Sequence, residues 1–188
     1  MTVSRYVAGE ERRTNRADAR LALAEELLRA GRYERAREAF DRAVELDPAD
    51  VRALAGKSLA LTRLGRFGEA LSAAEKIFLH QVNSPRAYDA RAVCYQAMGF
   101  PGRARAAFER ALSFGPDVAA THYHFARFWA TRREPDECRA HLTHALQLDP
   151  ELAAAAPSDD DLKPYRTRKW FIDLISSTLR PRPRPNPE

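Results

Sequence analysis

Four of the five histidines lie close together in the sequence, in a segment that also contains a cysteine. These residues are His122, His124, His141, His144 and Cys138. Imidazole nitrogens and thiolates are good zinc ligands, so this segment is the first place to consider metal chemistry. Neither an HExxH motif nor a paired CxxC motif is present, and packing or surface roles fit these residues better. The sequence therefore predicts no metal and no cofactor.

Two further segments contain residue types that occur in catalytic sites. Gly56-Lys57-Ser58 has the ending of a phosphate-binding loop, but the upstream glycine is absent and the segment is predicted inside a helix. Asp159-Asp160-Asp161 follows Ser158 at a predicted helix start, where carboxylates favour the helix dipole. Helix capping is therefore preferred there to metal binding. Because no catalytic set stands out, we predict that the protein is not an enzyme.

The elements that hold these residues recur every 34 positions along the chain. The repeated positions are Gly31, Gly65 and Gly99; Ala36, Ala70, Ala104 and Cys138; Ala43, Ile77, Ala111 and Ala145; and Pro48, Pro116 and Pro150. Four columns with one period indicate a repeated structural unit.

Each repeated unit has the pattern of two helices. Ala36, Phe40, Ala43 and Val44 stand at i, i+4, i+7 and i+8, the apolar stripe of an amphipathic helix. A first helix is predicted near residues 17–30, before a glycine that can close it. Prolines then end most units. Since one hairpin cannot bury both of its faces, such units stack into a solenoid.

The period and these residues resemble the tetratricopeptide repeat (TPR) family. The resemblance covers residues 17–150 and implies an all-α, right-handed superhelical solenoid of about four TPR hairpins plus a C-terminal capping helix. The implied segments are a basic N-terminal arm at 1–16, repeats at 17–50, 51–84, 85–118 and 119–150, a capping segment at 151–179, and a mobile Pro/Arg-rich tail at 180–188.

The sequence departs from the family pattern at several positions, one of which is Val82 in place of the proline that ends the second unit. Lys57 and Arg91 stand where the family usually has leucine, and we expect their stems to follow the seam between repeats with the charges reaching solvent. Arg133 replaces the turn glycine of the fourth unit. Six residues resemble the terminal helix that covers the last repeat of such arrays: Leu162, Tyr165, Trp170, Phe171, Leu174 and Ile175.

In this family, side chains of the first helix in each repeat line a concave groove that binds partners. Carried over by position, the resemblance implies a groove formed by Asp18, Glu25, Arg29, Arg52, Leu59, Arg63, Arg86, Asp89, Gln96, Tyr123, His124 and Arg127. Arginine dominates this set after the first unit. We therefore expect a partner segment with acidic groups, because guanidinium forks suit carboxylates. Solvated helix arginines balanced by nearby acids are the alternative.

Composition and charge narrow the classes of partner and location. The net charge is +5, but the excess lies at the two ends, while residues 17–161 contain 20 basic and 22 acidic residues. This distribution argues against a nucleic-acid-binding body. The two cysteines are far apart, and neither a secretory signal nor a membrane span is present, so we expect a cytoplasmic protein.

These observations together favour a protein–protein interaction adaptor or scaffold that captures a partner segment in its groove. The alternatives are a helper subunit or chaperone for a nearby-encoded enzyme or secretion component, and a metal-dependent enzyme that uses the His/Cys cluster. An end repeat with an uncovered apolar face leaves a homodimer open.

Overall fold

The computed structural model describes the backbone of residues 2–180 and the side chains of residues 16–180. The chain divides into two compact units, Met1–Gly115 (unit 1) and Pro116–Glu188 (unit 2). The tail predicted at 180–188 lies outside the described residues from 181 onward. None of the described helices has the length and apolar content needed to cross a membrane.

Unit 1 consists of three helical hairpins. Their helices are α1 (Thr2–Arg29), α2 (Tyr33–Leu46), α3 (Val51–Arg63), α4 (Phe67–His80), α5 (Pro85–Ala97) and α6 (Pro101–Phe114). Helices α1 and α2, α3 and α4, and α5 and α6 pack as pairs, and each pair also packs on the next. The described residues contain no strand. This arrangement confirms the predicted all-α repeat of hairpins.

The turns inside the hairpins have a left-handed backbone at the same repeat position. Gly31, Gly65 and Gly99 have φ of 71°, 75° and 79°. Glycine adopts this conformation without steric cost, and it ends the first helix of each hairpin. Arg133 takes the same conformation in the fourth hairpin, with φ of 64°. The repeat geometry therefore persists at the position where the sequence lacks glycine.

Helix α1 begins earlier than predicted. It starts at Thr2, whereas the sequence pattern placed the first helix near residue 17 and an arm before it. Residues 1–16 contain no proline and a single glycine, so nothing in the local sequence stops a helix. The segment expected as a basic arm is continuous with the first helix of the first hairpin.

Small and aromatic residues from the repeated columns form the interior of unit 1. Ala36, Ala70 and Ala104 are fully buried, as are Phe40 and Phe108. An alanine at the crossing lets two helix backbones approach, and the aromatic ring fills the space beside it. The columns recognised in the sequence are therefore the packing positions of the hairpins.

The charges of Lys57 and Arg91 are paired in the seams, contrary to the expectation that they reach solvent. Lys57 Nζ lies 2.5 Å from Asp41 Oδ1, and Arg91 Nε lies 3.4 Å from Glu75 Oε1. Each pair joins a second helix to the first helix of the next hairpin. Arg91 also stacks on surrounding rings, with its guanidinium carbon 5.6–6.0 Å from the centroids of Phe78, Tyr88 and Tyr95.

Unit 2 consists of one hairpin and the segment that follows it. The hairpin helices are α7 (Ala119–Thr131) and α8 (Pro135–Leu148); then come α9 (Leu152–Ala155), two 3₁₀ turns (Ala156–Ser158 and Asp160–Tyr165) and α10 (Lys169–Leu179). Helices α8 and α9 contact α10, and the second 3₁₀ turn packs on α7.

The six residues expected on one capping helix lie on two elements. Leu162 and Tyr165 belong to the second 3₁₀ turn, and the other four belong to α10. Pro164 removes a backbone donor from the turn, so a regular α-helix cannot run through it. All six nevertheless share one apolar cluster with residues of α7 and α8. The outer face of the fourth hairpin is therefore covered, as a terminal repeat requires.

Candidate functional site

The groove positions of unit 1 lie together on the first helices of the three hairpins. Helix α3 contacts both α1 and α5, so these helices form one continuous surface. The residues on this surface, which we call the unit 1 groove, are Asp18, Glu25 and Arg29 on α1; Arg52, Leu59 and Arg63 on α3; and Arg86, Asp89 and Gln96 on α5. All nine are exposed or half-buried.

Local ion pairing differs among the groove arginines. Arg52 Nη2 lies 3.1 Å from Asp18 Oδ1, one repeat away, and both side chains are about half exposed. Arg29 Nε donates to the backbone oxygen of Glu25 at 3.4 Å. Arg86 is exposed, and no acidic partner for it occurs among the described side chains. Since exposed ion pairs contribute about 0–1 kcal/mol, Arg52 can readily exchange Asp18 for another carboxylate.

The positions that the sequence predicts for a groove in unit 2 are covered by an acidic segment of the same chain. Tyr123 and Arg127 are only 7% and 9% exposed, because the second 3₁₀ turn lies over them. The Tyr123 hydroxyl donates to Asp159 Oδ2 at 3.1 Å, and Arg127 Nε lies 3.1 Å from the same oxygen. Arg127 Nη2 donates to Asp161 Oδ2. One guanidinium thus bridges two carboxylates.

Electrostatics at this contact keep the tyrosine protonated. Burial, and then the neighbouring Asp159 carboxylate, raises the pKa of Tyr123 above its ordinary value. The phenol therefore remains a hydrogen-bond donor at neutral pH. The third groove position of this unit, His124, is half-buried on the same helix.

The histidine cluster forms contacts among three of its four members. His122 Nδ1 lies 3.0 Å from His141 Nδ1, and the rings of His122 and His144 have centroids 4.3 Å apart. His122 Nε2 also lies 2.8 Å from the Pro116 oxygen, which accepts only, so this nitrogen is the donor. His122 Nδ1 then accepts from His141. Burial lowers the pKa of both rings, to about 4 for His141.

Cys138 is a packing residue and is not part of the contact among the histidines. It is fully buried in the apolar cluster of unit 2, and burial raises the pKa of its thiol to about 12. A protonated buried thiol is a packing group and a poor metal ligand. Among the described residues, no group of three or more His, Cys, Asp or Glu side chains has an arrangement that could hold a metal ion.

Gly56, Lys57 and Ser58 lie inside α3, as predicted, and each has a packing role. A Cβ on Gly56 would lie 2.2 Å from Cζ of Phe40, so the glycine permits close contact with α2. Ser58 Oγ donates to the Ala70 oxygen at 2.8 Å. Lys57 belongs to the seam ion pair described above. None of the three is arranged to cradle a phosphate.

Asp159 is the helix cap that the sequence predicted, and it has a further role that the sequence did not predict. Its Oδ1 accepts from the backbone N–H of Asp161 at 3.0 Å, at the start of the second 3₁₀ turn. Its other oxygen faces Tyr123 and Arg127. The signal for this contact was two carboxylates beside Leu162 and Tyr165, which are apolar residues expected to pack on the last hairpin.

Comparison with known proteins agrees with the repeat geometry. Residues 21–87 match the family model described as tetratricopeptide repeat. Over these residues the chain is similar to tetratricopeptide repeats. No curated protein sequence matches it significantly.

Solved structures of several TPR proteins have a similar fold. A thermophilic TPR protein of Thermus thermophilus is 23% identical, with a TM-score of 0.63 over 86% of this chain and 87% of that one. PilF of Pseudomonas aeruginosa is 17% identical, with a TM-score of 0.55 over 90% and 79% of the two chains. The first TPR domain of human RPAP3 is 17% identical, with a TM-score of 0.51 over 71% and 95%. These likenesses establish the fold of this chain and nothing about its partner.

Proposed function

We propose that this TPR protein is an adaptor without a reaction of its own, and that the unit 1 groove captures a partner segment containing acidic groups. The TPR fold is a protein-interaction scaffold in general terms. The observation that supports the specific proposal comes from unit 2, where a groove-position arginine, Arg127, binds carboxylates of Asp159 and Asp161. The same chemistry is available to the exposed arginines of unit 1.

The charges of the unit 1 groove suit an extended or helical segment with its acidic groups over α3 and α5. Arginines at the corresponding ends of these helices, Arg52 and Arg86, are one repeat apart and exposed. Arginine forks hold carboxylates with defined geometry, which gives orientation as well as attraction. Asp18 and Glu25 on α1 would repel an acidic group at the other end. This asymmetry would fix the direction in which the segment lies.

The proposal is tested by capture of partners from the source organism followed by mass spectrometry. The groove variant Arg52→Glu/Arg86→Glu should lose the partners that the wild-type chain retains, because it places carboxylates opposite carboxylates. The matched control is Arg35→Glu/Arg42→Glu, which makes the same charge change at exposed positions of α2, a second helix. Circular dichroism checks that both variants are folded.

Equal capture by the wild type and the groove variant would refute the proposed groove. Loss of capture in the control as well would show that overall charge, and not the groove, drives association. A cytoplasmic location is part of the same proposal, and cell fractionation with antibody detection tests it.

A further inference from the structure

On α7, the chain covers the predicted groove residues Tyr123 and Arg127 with its own acidic residues. Arg127 is nine-tenths buried and yet carries a full charge, which is costly unless carboxylates compensate it. Two carboxylates do so, from Asp159 and Asp161, and the phenol of Tyr123 adds a third polar contact. A cap that only had to exclude water from α7 could do so with apolar residues.

Asp159 and Asp161 contact Arg127 of α7 as two carboxylates of a bound peptide would. Asp159 caps the second 3₁₀ turn, so its side chain and that of Asp161 face α7 together. Asp160, between them, has a 97% exposed side chain and faces Arg166 at 3.6 Å. The contacting pattern is therefore acid, any residue, acid, on a short turn. Leu162 and Tyr165 belong to the same turn and fix its position by packing in the apolar cluster.

From this geometry we propose that α7 carries a second binding site for acidic segments, and that the turn 159–161 occupies it as an internal competitor. The ligand is a partner segment with two carboxylates two residues apart. It binds Arg127 and Tyr123 when the turn is released. The inference shares its carboxylate chemistry with the proposed function, but it concerns different residues and a different unit.

In this proposal the turn releases Asp159 and Asp161 from α7 while its Leu162 and Tyr165 stay packed in the apolar cluster. It consists of a short 3₁₀ segment, and three polar contacts join its acids to α7. Removing the two charges weakens all three contacts and raises the fraction of molecules in which α7 is accessible. The apparent affinity for an external segment is the intrinsic affinity reduced by the fraction of molecules in which α7 is accessible.

The test measures binding of a fluorescein-labelled peptide of alternating aspartate and alanine, with an asparagine–alanine peptide as the neutral probe. The variant Asp159→Asn/Asp161→Asn should bind the acidic peptide at least about fivefold more tightly than the wild type, which corresponds to a fivefold rise in the accessible fraction of α7. Asparagine caps a helix as well as aspartate does, so the turn can still form. Asp161→Asn alone, which weakens one contact to Arg127, should give a smaller gain and provides a second variant if the first is unstable.

Two controls separate this inference from general charge effects. Glu151→Gln/Asp160→Asn removes the same number of charges from exposed positions that do not contact Arg127, and it should leave the affinity within about twofold of wild type. Adding Arg127→Gln to the Asp159/Asp161 variant should cancel the gain.

The outcomes distinguish the two proposals. An unchanged affinity in both the Asp159/Asp161 variant and Asp161→Asn alone, or an equal gain in the Glu151/Asp160 control, would overturn the internal competitor without affecting the proposal for the unit 1 groove. If Arg52→Glu/Arg86→Glu has no effect on either peptide binding or capture while the Asp159/Asp161 gain persists, the proposed function fails and the α7 site stands.

Discussion

At the scale of single residues, Gly56 and the histidines of unit 2 have residue types that suggest a phosphate or metal site. Their contacts show that they pack against neighbouring residues instead. Gly56 belongs to a tripeptide like the end of a phosphate loop, but its role is to admit the ring of Phe40. His122 and His141 resemble metal ligands, but they bond to each other and to a backbone oxygen. In each case the neighbouring atoms, and not the residue type, determine the role.

Gly56→Ala should destabilise unit 1. The new methyl group would overlap the Phe40 ring, and overpacking of a full interior costs about 1–3 kcal/mol, more than the helix propensity gained. Urea unfolding followed by circular dichroism measures the change. Gly68→Ala is the control, because a Cβ there meets no atom within 4 Å. It should leave the midpoint unchanged or raise it slightly, and equal losses in both variants would contradict the explanation.

The histidine contact should make unit 2 less stable in mild acid. Burial lowers the folded pKa of His141 to about 4, while the unfolded value is near 6.5, so the unfolded chain binds the proton more tightly between these values. The stabilisation is therefore present above pH 6.5 and lost as the pH falls toward 4. His122 and His144 oppose protonation of His141, and Glu137 favours it.

Thermal melts of the wild type and His141→Phe across this range test the effect. The phenylalanine keeps an aromatic ring against Phe125, whose centroid is 4.5 Å away, but it removes the titrating group. The variant should lose less stability than the wild type between pH 6.5 and 4. Carboxylates titrate equally in both proteins, so parallel curves would show that His141 contributes nothing. His80→Gln, an exposed histidine of unit 1, should behave like the wild type.

At the scale of the elements, an ion pair recurs in two successive seams of unit 1. Asp41–Lys57 and Glu75–Arg91 occupy the same repeat positions, and each joins a second helix to the next first helix. Leucine in the family fills this place by apolar contact alone. The ion pair, unlike an apolar contact, depends on the register between the two helices. If one helix shifted by a turn along the other, a half-buried charge would lose its partner.

A double-mutant cycle of Asp41→Asn and Lys57→Met measures how much the seam pair contributes. The two half-buried charges should show a coupling of about 0.5–1.5 kcal/mol in urea unfolding. Arg105–Glu109, an exposed pair within α6, is the matched control and should couple by less than about 0.5 kcal/mol. Equal couplings would mean that the seam pair is an ordinary surface pair.

At the scale of the whole molecule, a stacked array must protect the open face of its last hairpin. In unit 2 the segment after α8 does this with two elements, and its residues form one cluster with Tyr123, Ala126 and Leu142. The same segment also brings acids to α7. Covering of the apolar face and occupation of the groove position are therefore combined in one piece of chain.

Phe171→Ala should destabilise unit 2 by about 3–5 kcal/mol, because the ring is 2% exposed and its removal leaves a cavity under α10. Ile172→Ala, at the next position, is the control. Its side chain is 50% exposed and should contribute less than about 1 kcal/mol. Hydrogen exchange followed by mass spectrometry should show faster exchange in residues 119–180 for the first variant only. Similar exchange in both would argue against a capping role.

The hairpins can be predicted from the sequence, because the 34-residue period, the turn glycines and the apolar stripes act locally and repeat. The sequence also identified the residues that cover the last hairpin and the acid that caps the 3₁₀ turn. It did not determine where α1 begins, since the N-terminal residues contain no signal that separates an arm from a helix.

The pairing of charged side chains could not be predicted from the sequence, because it joins side chains that are distant along the chain. Arg127 meets Asp159 and Asp161 across more than thirty residues, and Lys57 meets Asp41 across a seam between hairpins. Spacing gives the face of a helix on which a residue lies, whereas the depth of a charge and its partner depend on how the chain folds back. For this reason the sequence indicated that Tyr123 and Arg127 share a face of α7, but it did not indicate that the chain itself covers them.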